Sequence, residues 1–319
     1  MKGIVCIVAY NRPKECVSLL KAISKSKGIG NVDRVILSID YSDNQKEFFE
    51  YISSHMINWS FTLEFILRDY NFGLKSHVLA CGDLVKQSDY IIILEEDVLV
   101  SNYFFDYVVN ALNFLQFNDV QSIAGVSLYS YKRDEKYRLP FQSDLSKFDN
   151  LYMQFAPSWG QCYTRNMWLD FRNWLESHDC DDFLDSRLPD YVCGWPCSSW
   201  KKHYTRYLVD QGKFFFYPKV ALSSNPGCTG QNHNLLGDTF NVPLLKFDKE
   251  WKFTSLKNSV EIYDVNFNLT INGGNQPVEV ELSAYQLASI RYKAHPVGVK
   301  QAFLYFLYSI ECKIFRSFR

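Results

Sequence analysis

The sequence predicts a doubly wound α/β fold, a mostly parallel sheet with helices on both faces, and three observations carry that expectation. Short β-branched runs alternate with stretches whose apolar residues recur at helical spacing. The segments between them are short. One run, Tyr90-Ile-Ile-Ile-Leu-Glu-Glu-Asp-Val-Leu-Val100, is apolar without alternation until it meets three consecutive carboxylates. An unbroken apolar run of this kind is a strand buried on both faces, as in the middle of a parallel sheet.

Taken in order, Ile4-Val-Cys-Ile-Val-Ala9 is a buried first strand, left through Tyr10-Asn-Arg-Pro13, where Pro13 suits the first turn of a helix. Cys16, Leu19, Leu20 and Ile23 then recur at helical spacing. After a Lys- and Gly-rich turn at 24–30, Arg34-Val-Ile-Leu-Ser-Ile-Asp40 is a second strand that also ends in a carboxylate. Residues 47–56 read as a helix and 61–67 as a third strand, and Arg68-Asp-Tyr-Asn-Phe-Gly-Leu-Lys75 leads into a helix reaching about 85. Beyond the acidic strand come a helix over 103–117 and the strand Ser122-Ile-Ala-Gly-Val-Ser127.

Residues 129–151 are charged and irregular, with Lys132, Arg133, Asp134, Glu135, Lys136 and Arg138. They read as a solvated surface loop, the alternative being a lid or acceptor loop over a site. Next come Ala156-Pro-Ser-Trp-Gly-Gln-Cys-Tyr163, a helix over 165–176, an acidic turn at Asp179, Asp181 and Asp182, an aromatic segment over 195–207, the run Phe214-Phe-Phe-Tyr-Pro-Lys-Val-Ala221 and a polar loop to 233. After about 240 the composition changes: 260–270 and 278–282 flank Asn272-Gly-Gly-Asn275, a hairpin signal. Residues 297–315 read as a helix with Phe303, Phe306, Ile310 and Ile314 on one face and basic residues at its ends, which suits a membrane interface or a protein surface equally. The chain accordingly divides at 1–125, 126–240 and 241–319, the last a C-terminal extension of β-hairpin and amphipathic helix.

Composition removes several function classes. A net charge of -1 over 319 residues leaves no electrostatic footprint for nucleic acid. Nine cysteines, an odd number scattered in apolar surroundings, favour reduced thiols over a disulfide framework; Cys193 and Cys197 have the wrong spacing for a redox pair, and no second Cys or His pair stands at zinc-finger spacing. The first apolar run is too short for a signal peptide and no run approaches the roughly 20 residues of a membrane span, so a cytoplasmic chain is expected. Neither a Gly-x-Gly-x-x-Gly turn nor a P-loop is present, which argues against a dinucleotide oxidoreductase and a P-loop kinase. Aromatic content of 17% suits stacking platforms and an aromatic core alike.

The acidic triplet carries the chemistry. Glu95, Glu96 and Asp97 fall at the carboxyl edge of the sheet, where open α/β sheets bind ligands, and three adjacent carboxylates repel one another unless a hard divalent cation sits among them. The alternative is a solvated acidic turn.

Val-Ala-Tyr-Asn-Arg-Pro13, Ser-Ile-Asp40, Asn71-Phe-Gly-Leu-Lys75 and Leu-Glu-Glu-Asp97-Val-Leu-Val-Ser-Asn-Tyr-Phe-Phe together resemble GT-A glycosyltransferases. The order is closest to the N-acetylglucosaminyltransferase I-like branch and to related bacterial polysaccharide and lipopolysaccharide sugar transferases. The resemblance covers residues 3–233 and is absent beyond about 240. It implies a GT-A type, Rossmann-like sheet and a metal, Mn2+ or Mg2+, held by Asp97. Glu95 and Glu96 would lie beside the donor, with Glu96 at the ribose or donor sugar, where the family more often has Asp. Tyr10, Asn11 and Arg12 fall where the family holds the base and phosphates, and Asp40 where it binds the uracil edge; a first-loop cap and a strand-end turn are the alternatives. Lys75 would pair with a phosphate oxygen or be a plain surface lysine. His233 would close over the diphosphate or complete the metal shell, unless it is a bystander.

The family's general base lies in a Trp-Asp-Asp-Trp-like stretch, but Gly194-Trp-Pro-Cys-Ser-Ser-Trp200 has no carboxylate. The nearest candidates are Asp190, which is favoured, and Asp210. Trp159, Trp195 and Trp200 are candidate sugar platforms, with core packing as the alternative. The physics agrees with the resemblance: a carboxylate and a phosphate about 4 Å apart repel by roughly 1–4 kcal/mol at dielectrics of 80 to 20, and a bridging cation reverses the sign. The expected activity is inverting transfer of a sugar from a UDP-sugar (UDP-GlcNAc or UDP-Gal type) to a glycan or lipid-linked glycan, in bacterial surface polysaccharide assembly at the inner face of the plasma membrane. A sugar-nucleotide pyrophosphorylase would need a Gly-rich loop that is missing. A non-catalytic glycan-binding or scaffold protein on the same fold is the rival from another class.

Overall fold

The computed structural model describes residues 1–55, 59–118, 121–135, 140–141, 143–178, 185, 187–227 and 240–270. β1 (Gly3–Ala9) is buried along its whole length. Pro13 opens α1 (Pro13–Ser24), which buries the face of Cys16, Leu19, Leu20 and Ile23 that the spacing predicts. β2 (Arg34–Ile39), α2 (Gln45–Ser54), β3 (Leu63–Leu67) and α3 (Gly73–Gly82) follow, and a 3-10 turn (Asp83–Gln87) delivers the chain to β4 (Tyr90–Glu95).

β2 lies parallel to β1 and β3 parallel to β2, whereas β4 pairs in parallel with the opposite edge of β1. The chain therefore builds outward from β1 in one direction and then returns to build on its other side. Such a reversal opens a crevice above the carboxyl ends of the two central strands. The acidic triplet ends one of those strands, and the Tyr10-Asn-Arg-Pro13 turn leaves the other.

The remaining elements are β5 (Leu99–Val100), α4 (Phe104–Gln116), β6 (Ile123–Ser127), β7 (Asn150–Met153), β8 (Gln161–Thr164), α5 (Arg165–His178), α6 (Asp190–Cys193), α7 (Trp200–Asp210), β9 (Phe214–Pro218), β10 (Ser223–Ser224), β11 (Ile262–Tyr263) and β12 (Leu269–Thr270). Among the described residues they extend the sheet to ten strands in the order β12-β11-β7-β9-β6-β8-β4-β1-β2-β3, while β5 and β10 form a small antiparallel ladder. The half that holds β1 to β4 is wholly parallel, and antiparallel pairing begins at β8, which lies between β4 and β6. β8 is four residues long and follows Gly160, whose φ of 94° turns the chain back across the sheet. The most extensive helix–helix packing among the described residues is of α1 on α2 and of α7 on α3 and α5.

The sheet runs unbroken through residue 125, and β11 pairs with β7, so residues 240–270 are woven into the same sheet. Glu261, fully buried, fixes that segment: it meets Lys219 at 2.5 Å and accepts from Ser143 Oγ at 2.6 Å and from the Leu145 amide at 2.9 Å. The expected hairpin at 272–275, the helix over 297–315, the acidic turn at 179–182 and His233 lie outside the described residues. Among the described helices none is long and apolar enough to cross a membrane.

Gly82 shows how closely the layers meet. A Cβ placed there would come within 2.0 Å of the Trp168 ring, which is fully buried and donates its indole N–H to Asp83 at 2.8 Å. Glycine to alanine in a helix ordinarily stabilises by about 1 kcal/mol, but overpacking against a pinned ring works the other way by roughly 1–3 kcal/mol. Gly82→Ala is therefore expected to lower the urea midpoint, and a raised midpoint would show that α5 yields to the added methyl group.

Candidate functional site

Register brings the site together. Val8 of β1 is level with Glu95 of β4, and the Glu96 amide donates to the Val8 carbonyl at 3.1 Å. A turn closed by the Val98 amide on the Glu95 carbonyl (3.3 Å) then buries Glu96 and Asp97 instead of releasing them to solvent. From the neighbouring strand the chain passes through Tyr10 and Asn11 to Arg12, which is held out of helical geometry ahead of Pro13 (φ -120°, ψ 71°). The Arg12 guanidinium spans both acids: Nε donates to Glu96 Oε1 at 2.8 Å and Nη1 donates to Asp97 Oδ2. The arginine side chain is 27% exposed, against 5% and 7% for the two carboxylates.

One donor set remains incomplete. Asp97 Oδ1 is buried and has no hydrogen-bond partner among the described residues. A buried carboxylate oxygen without a partner is costly, and in native folds it points to an ion or ligand that completes it. The electrostatics agree. Burial, and then Asp97 and Glu96, push the Glu95 carboxyl up to about 8, with Arg12 and Lys201 pulling the other way. Burial also raises Glu96, against the attraction of Arg12.

These groups fit a hard divalent cation at the orphaned Asp97 oxygen. No cluster of three ligating side chains exists among the described residues, so further oxygen ligands would come from water or from a bound anion.

Asp40 is held by backbone amides at the end of β2. Its Oδ1 accepts from the amides of Tyr41 (3.0 Å) and Phe72 (2.9 Å), and its Oδ2 accepts from the Gly73 amide at 3.1 Å. Buried at 3% exposure, this carboxylate anchors the N-terminus of α3 and complements its dipole; the strand-end turn is what it builds. Lys75 lies in the first turn of that helix, half-buried. Tyr10 is half-buried and Asn11 exposed, both in the turn that delivers Arg12.

On the other side of β4, α7 brings up a group that the sequence reading missed. Lys201 is 9% exposed and pairs with Glu135 at 2.7 Å, and Tyr131 donates its hydroxyl to the same carboxylate at 3.0 Å. The Lys201 ammonium sits 4.6 Å from the ring centre of Phe155 and 5.0 Å from that of Trp195, with Tyr131 and Trp159 at 5.8 Å. Glu135 belongs to the charged loop that reads as solvated, and it is instead drawn inward by this cation. The signal was a lysine embedded in an aromatic segment.

The three tryptophans separate. Trp195 is half-buried and held by Lys202, whose ammonium donates to the Cys193 and Trp195 carbonyls at 2.7 and 2.8 Å. Trp159 and Trp200 are 4% and 3% exposed. Trp159 packs on Phe240 at 4.4 Å and Tyr129 at 4.7 Å, and Trp200 meets Tyr204 edge-on, so both fill the core and leave no face for a sugar.

The carboxylates proposed as base also separate. Asp210 ends α7, just before β9 begins at the opposite edge of the sheet from the triplet, and both Arg187 and Arg206 claim it. It does not join the site. Asp190 opens α6 ahead of Trp195 and is exposed, and no contact among the described residues ties it to the triplet.

No protein-family model and no curated protein sequence matches the chain. Among solved structures it is similar to residues 1–349 of TarS from S. aureus in complex with UDP, at 14% identity and TM-score 0.42, covering 70% of this chain and 60% of that one. The UDP-GlcNAc complex of the same TarS piece matches at the same identity and TM-score over 58% of its length. The mannosyltransferase PcManGT from Pyrobaculum calidifontis, in complex with GDP-Man and Mn2+, matches at 12% identity and TM-score 0.40, covering 69% of this chain and 57% of that one. The alignments thus span less than two thirds of these neighbours, and a likeness this distant carries no activity with it.

Removing one partner of a buried ion pair strands the other, at a cost of about 3–5 kcal/mol, whereas replacing both with apolar groups is often neutral. Lys201→Ala is expected to lower unfolding free energy in that range, and Lys201→Met combined with Glu135→Leu to recover most of it. Equal urea midpoints for Lys201→Ala and the unaltered protein would refute the buried-pair account.

Proposed function

We propose that this chain is a GT-A type glycosyltransferase that moves a sugar from a UDP-sugar, of UDP-GlcNAc or UDP-Gal type, to a glycan or lipid-linked glycan acceptor, with inversion. The observation that carries the reading is the orphaned, buried Asp97 oxygen beside an arginine that bridges two carboxylates, at the crevice where the sheet reverses.

Asp97 holds the divalent ion, Mn2+ or Mg2+, which when bound supplies positive charge to a departing diphosphate. Arg12 faces the same departing charge and offers it a planar, bidentate donor. Tyr10 and Asn11 line the turn against the nucleoside, Glu96 lies at the ribose or donor sugar, and Lys75 reaches a phosphate oxygen. The bond between the anomeric carbon and the diphosphate oxygen breaks as the acceptor hydroxyl attacks from the opposite face. Its proton passes to a carboxylate, for which Asp190 is the candidate: it is exposed on the segment carrying Trp195, while Asp210 is bound to arginines on the other edge. The half-buried ring of Trp195 is the platform left for the acceptor sugar. The assignment to the N-acetylglucosaminyltransferase I-like branch rests on the motifs of residues 3–233, and a place in bacterial surface polysaccharide assembly is proposed with it.

Asp97→Asn keeps the shape of the side chain and removes its charge. Calorimetry in Mn2+ is expected to show UDP affinity falling by about a hundredfold, equivalent to roughly 2.7 kcal/mol, with the circular dichroism spectrum unchanged. Unchanged UDP affinity would defeat the assignment, and glycan binding without any nucleotide binding would favour the scaffold protein instead.

A further inference from the structure

We infer that Arg12 is a resident counter-ion that competes with the divalent cation for Asp97, so that the nucleotide must draw it away before the cation is held tightly. This inference rests on the proposed function and adds an order to its binding steps.

The geometry behind it is specific. Glu96 and Asp97 are nine-tenths buried or more, and the charge bridging them is one guanidinium, through Nε at 2.8 Å to Glu96 and through Nη1 to Asp97 Oδ2. Asp97 therefore presents one oxygen to the arginine and leaves the other, Oδ1, buried without a partner among the described residues. A cation at Oδ1 would share a single carboxylate with the guanidinium, so two positive groups would lie within a few ångströms in a poorly solvated place. Coulomb repulsion at that range is several-fold stronger than in water. Without an anion present the two cations therefore oppose each other.

Arg12 is also placed to leave. Its carboxylate partners are buried, yet its own side chain is 27% exposed, so it reaches the pair from the solvent side. Its backbone is fixed separately, with the carbonyl accepting from the Cys16 amide at 3.1 Å in the first turn of α1. The guanidinium can thus exchange its two single contacts, one to each carboxylate, for one bidentate anion while the turn stays in place. A diphosphate is such an anion, planar donor forks suit phosphate as well as carboxylate, and its arrival would release Asp97 Oδ2. Nucleotide and cation would then each raise the affinity of the other by the same factor, as linkage requires.

Binding of Mn2+ alone, of UDP alone and of each in the presence of the other, followed by calorimetry and by the Mn2+ paramagnetic resonance signal, tests this directly. In the unaltered protein, Mn2+ is expected to bind weakly alone and at least about tenfold more tightly with UDP. Arg12→Ala is expected to bind Mn2+ alone about tenfold more tightly than the unaltered protein, and to lose most of the UDP-dependent gain. Arg12→Lys, which keeps the charge but not the two-pronged contact, should fall between them and guards against a folding defect in the alanine variant. If Mn2+ alone binds Arg12→Ala no more tightly than the unaltered protein, the inference is overturned while the proposed function stands. If the unaltered protein binds no Mn2+ even with UDP, the proposed function fails as well.

Discussion

Two acidic side chains held out of water at the end of a central strand, with one arginine between them, are the constraint to which the rest of the site conforms. Burying carboxylates is expensive unless they are paired and fully hydrogen-bonded. Here Arg12 satisfies one oxygen of Glu96 and one of Asp97, and Asp97 Oδ1 is left over. The parallel pairing of β1 with β4 makes the arrangement unavoidable, because the residues that follow each strand emerge side by side at the same edge. A fold that only needed stability would place apolar residues there.

The surroundings share the same logic of charges fixed by short, local devices. Asp40 spends its carboxylate on the amides that start α3, which keeps that helix aimed at the edge without adding free negative charge to it. Across β4, Lys201 sits in a box of aromatic rings with Glu135 drawn in against it, and its positive field opposes the rise of the Glu95 carboxyl. Two cations thus flank three carboxylates, Arg12 from the first loop and Lys201 from α7. Residues 240–270, locked to the body through Glu261 and Lys219, close the far end of the sheet.

Much of this was legible in the sequence because the signals were local. The unbroken run from Tyr90 to Leu94 reports a doubly buried strand, Pro13 reports the start of α1, and the spacing of Cys16, Leu19, Leu20 and Ile23 reports its inward face. The triplet stood out because charge rarely follows such a strand. What escaped depended on distant partners. Nothing near Glu135 announces that Lys201 will neutralise it, and nothing near Asp210 announces that it ends its helix on the wrong edge, beside two arginines. Trp159 and Trp200 offer the same aromatic surface to the eye as Trp195, and only packing decides which ring keeps a face. The antiparallel β8 escaped because four residues are too few to show a period.

On the proposed function, a divalent cation and a nucleoside diphosphate meet at Asp97. The most direct test is anomalous diffraction from crystals grown with Mn2+ and UDP. A manganese peak about 2.0–2.4 Å from Asp97 Oδ1, with the diphosphate beside it, is expected. Nucleotide bound elsewhere, with Glu96 and Asp97 still bridged by Arg12 and no metal at their edge, would contradict it.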